Sequence, residues 1–468
     1  MKLTLTRIAE FISAGGQYDP STIAQGYSID SRTVQPGDLF FAVKGDRLDG
    51  HDFVEQALSR SAVAAVVRKD QLARFSGGGT GVSPVSAPLL AVDDTLTALQ
   101  TLATAVRKLW GKTAIGITGS MGKTTTKEAV AHLLSTKYRV HRTKGNFNNH
   151  FGLPLGLLTL EPEYDLAVVE MGMSHAGEIA ALARIAQPNQ GVVTNVAPVH
   201  LEFFDNLAGI ARAKYELIES LPATGTAVLN ADDDYVSQFG RDFKGKVVLY
   251  GMKPVANVRA EKVEITGSEG TRFDLICEGV RQPVHTPLLG QHNVYNVLAA
   301  AAVAVEHGIT PSEIAVALPS LAPADKRGQV VQVGNIPVLY DCYNSSPRAL
   351  MAAIDTLGAM PAKRRIVVAG EMLELGSAAE QLHRECGLYI AGGKFDFLLG
   401  VRGLAKPMVE AALAAGMKAE FVATPEDAGE WLARETRAGD VVLLKASRGV
   451  KLEKALENWN ASISKERA

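Results

Sequence analysis

From residue 114 onward the chain alternates short apolar runs with longer segments whose apolar residues recur at helical spacing. The runs at 114–118, 166–169 and 191–196 have the length of buried strands, and the segments between them have the period of amphipathic helices. Strands that alternate with helices are typical of a mostly parallel sheet covered by helices on both faces. The pattern therefore predicts an α/β fold.

Breaks in this alternation predict three domains. Pro36-Gly37 makes a turn into an alternating apolar strand, which predicts a small N-terminal α/β domain at 1–88. The strand and helix alternation defines a central domain at 89–322, with an antiparallel elaboration at 255–287. After a boundary near residue 322 the alternation resumes, so a Rossmann-like α/β domain is predicted at 323–468. This third domain lacks Gly-x-Gly-x-x-Gly, which argues against a dinucleotide site.

In the central domain, the strand at 114–118 leads into a glycine turn and a helix. The turn and the start of the helix read Gly119-Ser120-Met121-Gly122-Lys123-Thr124-Thr125-Thr126. Glycines let backbone N–H groups close on a phosphate, Lys123 adds a mobile positive charge, and the Thr124 hydroxyl suits magnesium. The spacing departs from the usual phosphate loop, because isoleucine stands at 117 and the glycines stand at 116 and 119. An ordinary glycine turn is the alternative, but the strand and helix on either side favour binding of a nucleotide phosphate.

Polar residues follow three further predicted strands of the central domain. The run at 138–143 is followed by Asn148 and Asn149, the run at 166–169 ends in Glu170, and the run at 191–196 leads to His200. Ligands of parallel sheets gather at the carboxyl ends of the strands. We therefore expect these residues to lie at one site, with Glu170 placed as a magnesium-coordinating carboxylate.

A lysine interrupts the apolar stripe of the helix predicted at 205–221. Lys214 follows Leu207 by seven residues and precedes Leu221 by seven, so it lies on the apolar face. A lysine there must reach solvent along its stem, pair with another group, or change its protonation state. The pattern leaves a snorkelling lysine and a functional lysine as equal alternatives.

Three other polar residues also allow two interpretations. Ser31 and Arg32 precede the Pro36-Gly37 turn, and their local chemistry favours a solvated turn over a binding role. Asn293 opens an alanine-rich helix that ends at Gly308, where it either caps the helix or faces a nucleotide base.

Composition narrows the class of protein further. The 468 residues include 48 basic and 50 acidic side chains, a balance that gives no electrostatic case for nucleic acid or an anionic membrane. The three cysteines, Cys277, Cys342 and Cys386, are widely spaced and are expected to be reduced core thiols. The N-terminus is too polar for a signal peptide and no apolar run reaches membrane-spanning length, so a cytoplasmic protein is expected.

Taken together, these motifs resemble the Mur ligases, the ATP-dependent amide-forming enzymes of peptidoglycan precursor assembly, over nearly the whole chain. The motifs of the whole family are Thr118-Gly-Ser-Met-Gly-Lys-Thr124, Glu170, His200, Ala213-Lys214, His292-Asn293 and Arg327. Those of one branch are Asp30-Ser-Arg32, Asp49-Gly-His51, Gly145-Asn-Phe-Asn-Asn149, Glu170-Met-Gly-Met-Ser-His175, Gly177-Glu178, Asp341-Cys-Tyr-Asn-Ser-Ser-Pro347 and Gly370-Glu-Met-Leu-Glu-Leu-Gly376. Two residues depart from the family pattern, which usually has aspartate in place of Glu371 and commonly alanine in place of Ser345.

The resemblance implies that ATP activates the terminal carboxylate of a UDP-N-acetylmuramoyl-tripeptide as an acyl phosphate, which the amine of D-alanyl-D-alanine then attacks. It implies catalytic roles for Lys123, Lys214, His200 and Arg327, and carbamylation of Lys214. The implied ATP contacts are Gly119, Ser120, Gly122, Lys123, Thr124, Thr125, Asn293, Arg327 and Asp341; the substrate contacts are Ser31, Arg32, Asn148, Asn149, Ser174, Tyr343, Asn344 and Ser346; the magnesium ligands are Thr124, Glu170, His200 and Lys214. The enzyme is expected to act as a monomer.

The sequence leaves two alternative functions open. A sister ligase that adds a single amino acid shares the family motifs, but the segment 341–347 argues against it. A phosphate-loop NTPase switch would use a guanine-reading Asn-Lys-x-Asp, and the nearest candidate, at 230–234, lacks the lysine.

Overall fold

The computed structural model describes residues 1–76, 88–145, 147–199 and 201–466. His200 and Asn146, both part of the predicted site motifs, lie outside the described residues. The chain is a mixed α/β protein built on three larger sheets, which confirms the predicted fold class. No helix among the described residues is long and apolar enough to cross a membrane.

The N-terminal unit is a five-stranded sheet with helices and a two-stranded ribbon beside it. Its elements are β1 (Leu3–Thr4), α1 (Leu5–Ile12), β2 (Gly15–Gln17), β3 (Ile23–Ala24), β4 (Gly26–Ser28), β5 (Asp38–Phe41), α2 (Val54–Ser59), β6 (Ala64–Arg68), α3 (Ala73–Ser76) and β7 (Leu89–Val92). The sheet order is β2-β7-β6-β5-β4, with β2 antiparallel to β7 and the other pairs parallel, while β1 pairs with β3.

The position of β7 corrects the first predicted boundary. The boundary at 88 assigns this strand to the central domain, yet β7 pairs with β6 in the N-terminal sheet and all four of its residues are buried there. Pairing with β6 completes the N-terminal core, and such long-range strand pairing leaves no local mark in the sequence. The N-terminal unit therefore continues through β7 to residue 92.

The central unit is a nine-stranded sheet. Its elements are α4 (Thr95–Trp110), β8 (Thr113–Thr118), α5 (Lys123–Leu134), β9 (Val140–Arg142), α6 (Gly152–Leu158), β10 (Leu166–Glu170), α7 (Glu178–Ala186), β11 (Gln190–Val193), α8 (Leu207–Glu219), β12 (Thr226–Asn230), β13 (Lys246–Gly251), β14 (Val258–Ile265), β15 (Thr271–Cys277), β16 (Val280–Thr286), α9 (Gln291–Glu306) and α10 (Pro311–Ala317). The order is β16-β15-β14-β13-β12-β11-β8-β10-β9, parallel from β9 to β14 and antiparallel from β14 to β16.

The C-terminal unit is a six-stranded sheet with the order β17-β18-β22-β19-β20-β21. Its elements are β17 (Gln329–Val333), β18 (Ile336–Asp341), α11 (Pro347–Ala359), β19 (Arg364–Gly370), α12 (Ala379–Ala391), β20 (Phe397–Val401), α13 (Ala405–Ala414), β21 (Ala419–Val422), α14 (Pro425–Glu435), β22 (Asp440–Lys445) and α15 (Glu453–Glu466). Only the β17–β18 pair of this sheet is antiparallel.

Burial explains why these strands read as continuous apolar runs. The central strands β10, β11 and β12 lie between two layers of helices, so nearly every residue in them is buried. One apolar core lies on each face of the central sheet, and two more lie on the faces of the C-terminal sheet. The core that contains α4 continues into the N-terminal unit, where it includes Leu5 and Phe41. The three cysteines are free and buried, as expected.

Candidate active site

A cleft of about 700 Å³ separates the carboxyl ends of the central strands from those of the C-terminal sheet. The central unit contributes the loops after β8, β9 and β10, and the C-terminal unit contributes the loops after β18, β19 and β22. Most of the residues predicted for the site line this cleft: Ser120, Gly122, Lys123, Thr124, Thr125, Asn148, Asn149, Glu170, Ser174, Asn293, Arg327, Asp341, Tyr343, Asn344 and Ser346. Two separate sheets thus meet across one concave surface, the usual place for ligands of α/β proteins.

The glycine turn after β8 has the backbone that a phosphate-binding loop needs. Gly119 and Gly122 have φ values of 146° and 81°, which residues with a side chain rarely adopt. A Cβ atom at Gly119 would lie 1.8 Å from Thr194 Oγ1, so only glycine fits there. Helix α5 starts at Lys123 without a capping side chain, which leaves its first N–H groups available to an anion.

The glycine at 116, which breaks the usual motif spacing, has a packing role. It lies inside β8, where an added Cβ would come within 3.1 Å of Leu217 Cδ1 and 3.2 Å of Met171 Cε. A side chain at this point would require the ends of these neighbouring side chains to shift by a few tenths of an ångström. The departure in spacing therefore concerns strand packing and leaves the turn at 119–122 intact.

Lys123 folds back over this turn. Its Nζ donates hydrogen bonds to the carbonyl oxygens of Gly119 at 2.8 Å and Ser120 at 3.2 Å. Burial lowers the pKa of Lys123; the nearby carboxylate of Glu170 raises it in part, and the positive charge of Arg327 lowers it again. Arg327 comes from the C-terminal unit and lines the same cleft, so cations of two different units lie close enough for their charges to interact.

Glu170 ends β10 and is only 1% exposed. Its Oε2 accepts a 2.7 Å hydrogen bond from Thr124 Oγ1, and its Oε1 accepts a 2.7 Å hydrogen bond from Asn148 Nδ2. The predicted strand-end carboxylate and the predicted magnesium hydroxyl are therefore in direct contact. Among the described residues, however, no three His, Cys, Asp or Glu side chains form a cluster that could hold a metal ion.

Lys127 was not predicted from the sequence and does not line the cleft, but it contacts residues of the site. Its side chain is fully buried, and its Nζ donates to the carbonyl oxygens of Thr143 at 2.7 Å and Gly145 at 3.0 Å. The same nitrogen lies 4.0 Å from Glu170 Oε2. Lys127 therefore ties the loop after β9 to the carboxylate at the end of β10. Its spacing is the available signal, because it follows Lys123 by one helical turn and shares its helix face.

Lys214 in α8 is 2% exposed, which rules out a snorkelling side chain. Burial lowers its pKa well below the ordinary value, and the positive charge of Lys123 lowers it further. The amine is thus held toward its neutral form close to the phosphate loop. Lys214 is not among the described residues that line the cleft, although the charge of Lys123 acts on it.

Tyr343 contacts two guanidinium groups on the C-terminal wall of the cleft. The guanidinium carbon of Arg327 lies 3.9 Å from the centre of the Tyr343 ring, and that of Arg448 lies 5.2 Å from it. Arg448 Nη1 also donates a 3.1 Å hydrogen bond to the Tyr343 hydroxyl. Arg448 was not predicted from the sequence. An arginine is common in a polar loop, and its contact with Tyr343 joins residues that are 105 positions apart.

Asp341 and Lys445 form an ion pair in the same wall. Lys445 Nζ donates to Asp341 Oδ2 at 2.6 Å and to the Asn344 carbonyl at 3.0 Å. The two residues end neighbouring parallel strands, β18 and β22, which brings their side chains together. Asp341 therefore lines the cleft as a carboxylate that is paired with Lys445.

Asn293 does not cap α9. The helix is preceded by Gly290, which makes no side-chain cap, and Asn293 Nδ2 donates to the Leu289 carbonyl at 2.8 Å. Its Oδ1 accepts from Asn296 Nδ2 at 2.9 Å, so the amide is fixed at the cleft wall. The cap interpretation is wrong because the side chain bonds to a carbonyl and to another side chain, not to the orphan N–H groups of the helix.

Ser31 and Arg32 lie away from the cleft. Neither occurs among the described residues that line it. Ser31 is 5% exposed and donates to Gln56 Oε1 at 2.7 Å, so the solvated-turn interpretation is wrong for this residue. Arg32 fits that interpretation, because it is largely exposed and pairs with Asp30 at 2.7 Å.

The other substrate candidates take part in local structure at the cleft. Asn149 Oδ1 accepts from the Gly152 backbone N–H at 2.9 Å, at the start of α6. The backbone N–H of Ser174 donates to Glu178 Oε2 at 2.7 Å. Ser346 Oγ lies 3.6 Å from Met121 Sδ, which joins the C-terminal wall to the phosphate loop.

Three family profiles match the chain in order. They are the Mur ligase family catalytic domain at residues 24–107, the Mur ligase middle domain at 117–304, and the Mur ligase glutamate ligase domain at 326–448. Two similar proteins, of Bacillus subtilis and Escherichia coli, are each named UDP-N-acetylmuramoyl-tripeptide–D-alanyl-D-alanine ligase. The first is 36% identical over 465 residues, 98% of both chains, and the second is 34% identical over 441 residues, 93% of this chain and 91% of that one.

Solved structures agree with these matches. MurF from Acinetobacter baumannii superposes with a TM-score of 0.87 at 27% identity, covering 98% of this chain and 99% of that one. MurF ligase from Thermotoga maritima, solved in complex with ADP, superposes with a TM-score of 0.80 at 29% identity, covering 95% and 99%.

Proposed function

The chain belongs to the Mur ligase family, and on that premise we propose how its cleft works as an ATP-dependent ligase. The enzyme joins D-alanyl-D-alanine to UDP-N-acetylmuramoyl-tripeptide in peptidoglycan precursor synthesis. The observation that carries the proposal is that Lys123 and Arg327, from two different units, line one cleft and lie close enough for their charges to interact. In this proposal the enzyme acts as a monomer in the cytoplasm.

The reaction must first activate a carboxylate, which is a poor electrophile. The tripeptide carboxylate attacks the γ-phosphorus of ATP, the bond to the β-phosphate oxygen breaks, and ADP leaves behind an acyl phosphate. Two anions approach each other in this step, so their repulsion has to be offset by fixed positive charge. Lys123 supplies such charge at the loop and Arg327 supplies it from the opposite wall.

The amine of the dipeptide completes the reaction. It attacks the acyl carbon, the bond to the phosphate oxygen breaks, and inorganic phosphate leaves as the amine loses a proton. In this proposal Tyr343, Asn344 and Ser346 border the space that the dipeptide takes, and Asn148, Asn149 and Ser174 border that of the tripeptide. The UDP end is bound by the N-terminal unit near Ser31 and Arg32, outside the cleft.

Gly119, Ser120, Gly122, Thr124 and Thr125 surround the phosphates of ATP in this proposal, and Asn293 and Asp341 border its adenosine. All of these residues except Gly119 line the cleft, which supports the assignment. The phosphates would meet the start of α5, and the adenosine would lie by Asn293 of α9 and Asp341 of the C-terminal wall.

Magnesium would be held by Thr124 and Glu170, and the 2.7 Å contact between these two side chains supports the fit. When bound, the metal supplies positive charge that offsets the repulsion between phosphate and carboxylate.

Lys214 would take up carbon dioxide as a carbamate, since its lowered pKa favours the neutral amine that this chemistry needs. The carbamate and His200 would add ligands to a second ion near Glu170.

Release of phosphate from ATP tests the proposal. Phosphate release should require the UDP-muramoyl-tripeptide and the dipeptide together, and ¹⁸O placed in the tripeptide carboxylate should appear in the released phosphate. Phosphate release with ATP alone at the full rate would instead support an NTPase switch. Release with a single amino acid in place of the dipeptide would support a sister ligase.

A further inference from the structure

The C-terminal wall of the cleft contains one cation for which the reaction described above has no use. Among the described residues, four lysine or arginine side chains line the cleft: Lys123, Arg327, Lys445 and Arg448. Lys123 and Arg327 lie close enough for their charges to interact, and Lys445 is buried in its 2.6 Å pair with Asp341. Arg448 is exposed, and no carboxylate among the described residues forms an ion pair with it. Its acidic neighbour Glu453 is paired with Lys326 at 2.9 Å.

The loop that carries Arg448 is held firmly. Ser447 Oγ donates to the Ser345 carbonyl at 3.3 Å and accepts from the Leu373 backbone N–H at 3.0 Å. These two bonds join the loops after β18, β19 and β22 into one wall. Arg448 itself is oriented by the hydroxyl and the ring of Tyr343. A guanidinium in a fixed position is well suited to bidentate contact with a carboxylate.

The dipeptide substrate brings a carboxylate that needs such a partner. D-Alanyl-D-alanine has its attacking amine at one end and a free carboxylate at the other, about 7 Å away when the two residues are extended. The amine must reach the acyl phosphate near Arg327. Because Arg327 and Arg448 approach the same tyrosine ring, at 3.9 and 5.2 Å from its centre, the second guanidinium lies within a dipeptide's reach of the first.

We infer that Arg448 binds the C-terminal carboxylate of the dipeptide and thereby selects a substrate with a free carboxyl end. The inference rests on the proposed function and adds to it a specificity-determining residue. Tyr343 lies between the two ends of the substrate, with Arg327 toward the phosphate and Arg448 toward the carboxylate. The dipeptide is then oriented by its carboxylate at one end and its nucleophilic amine at the other.

The test compares D-alanyl-D-alanine with D-alanyl-D-alaninamide, which keeps the amine and lacks the negative charge. Wild-type enzyme should prefer the acid by about 10- to 100-fold in kcat/KM, mostly through KM, as expected for a lost charged hydrogen bond. Arg448→Met should abolish this preference by lowering activity on the acid to that on the amide, with the KM for ATP unchanged. Arg448→Lys should recover part of the preference, since it keeps the charge without the fork.

Arg434→Met is the matched control, because Arg434 is an exposed arginine of the same unit and pairs only locally with Glu435 at 2.9 Å. It should keep the wild-type preference. An Arg448→Met enzyme that still prefers the acid, or that loses acid and amide equally, would overturn the inference while leaving the ligase assignment in place. A wild-type enzyme that ligates neither dipeptide would overturn the proposed function itself.

Discussion

The hydroxyl of Thr124 donates a 2.7 Å hydrogen bond to the carboxylate of Glu170, which joins the first turn of α5 to the end of β10. Both residues are buried, and Asn148 holds the other oxygen of the carboxylate at 2.7 Å. A hydroxyl and a carboxylate in contact beside a phosphate loop form the kind of oxygen pair that magnesium prefers. The fold thus brings the hydroxyl, the carboxylate and the amide together beside the phosphate loop.

This contact predicts the effect of Glu170→Gln. The amide keeps the shape of the side chain and removes its charge, so the fold should persist while ligation falls on the order of 10²- to 10³-fold. The rate of ligation as a function of magnesium concentration is the measurement, with Glu163→Gln, an exposed glutamate of the preceding loop, as the control. A Glu170→Gln enzyme with wild-type rate and wild-type magnesium dependence would remove Glu170 from the site.

Lys127→Met should weaken both the fold and the site. The carbonyl oxygens of Thr143 and Gly145 would lose a charged donor, at a cost of about 1 to 3 kcal/mol in the free energy of unfolding. The loop that carries Asn148 would then hold Glu170 less firmly, so half-maximal activity should require more magnesium. Denaturant unfolding and magnesium titration measure the two effects.

Glu128→Gln is the control for Lys127. Glu128 lies 3.2 Å from the same nitrogen, and its substitution leaves in place the lysine that donates to the loop carbonyl oxygens. It should alter the magnesium requirement much less. If Lys127→Met lowered stability alone, with an unchanged magnesium requirement, Lys127 would be a structural residue only.

Lys214→Arg should be nearly inactive, with a loss of at least about 100-fold, although it keeps the positive charge. A guanidinium forms no carbamate, whereas the lowered pKa of the buried lysine leaves a larger neutral fraction to react with carbon dioxide at neutral pH. Lys214→Ala should also be inactive, and short carboxylic acids in solution should restore part of its activity by taking the place of the carbamate.

Lys244→Arg, at an exposed lysine, controls for the substitution itself and should have wild-type activity. Unfolding curves of the Lys214 variants separate lost chemistry from lost folding. Ordinary activity in a folded Lys214→Arg enzyme would refute the carbamate, while the ligase assignment would stand on the phosphate loop and the cleft.

Much of the fold was predictable because its signals are local. Strand and helix periods gave the α/β class, and the strand ends located Glu170 and the glycine turn where the structure has them. The apolar stripe of α8 also identified Lys214 as an unusual lysine, and its burial excluded snorkelling. These features depend on neighbours in the chain and therefore leave a mark in the sequence.

The remaining features depend on residues far apart in the chain. The place of β7 in the N-terminal sheet requires pairing with β6, and the role of Lys127 requires the carbonyl oxygens of a loop 16 and 18 residues away. The pairing of Arg448 with Tyr343 spans 105 residues. No period or motif in the sequence records contacts of this kind.

The enzyme forms an amide bond between a muramoyl tripeptide and D-alanyl-D-alanine. Mass spectrometry of the reaction with ATP, UDP-N-acetylmuramoyl-tripeptide and the dipeptide tests it most directly, with diaminopimelate- and lysine-containing tripeptides offered in turn. The predicted result is a product with the mass of tripeptide plus dipeptide less one water, formed in equal amount to ADP. ADP formation without that product, or the same yield of amide with a single D-alanine, would show that the enzyme is not a D-alanyl-D-alanine ligase.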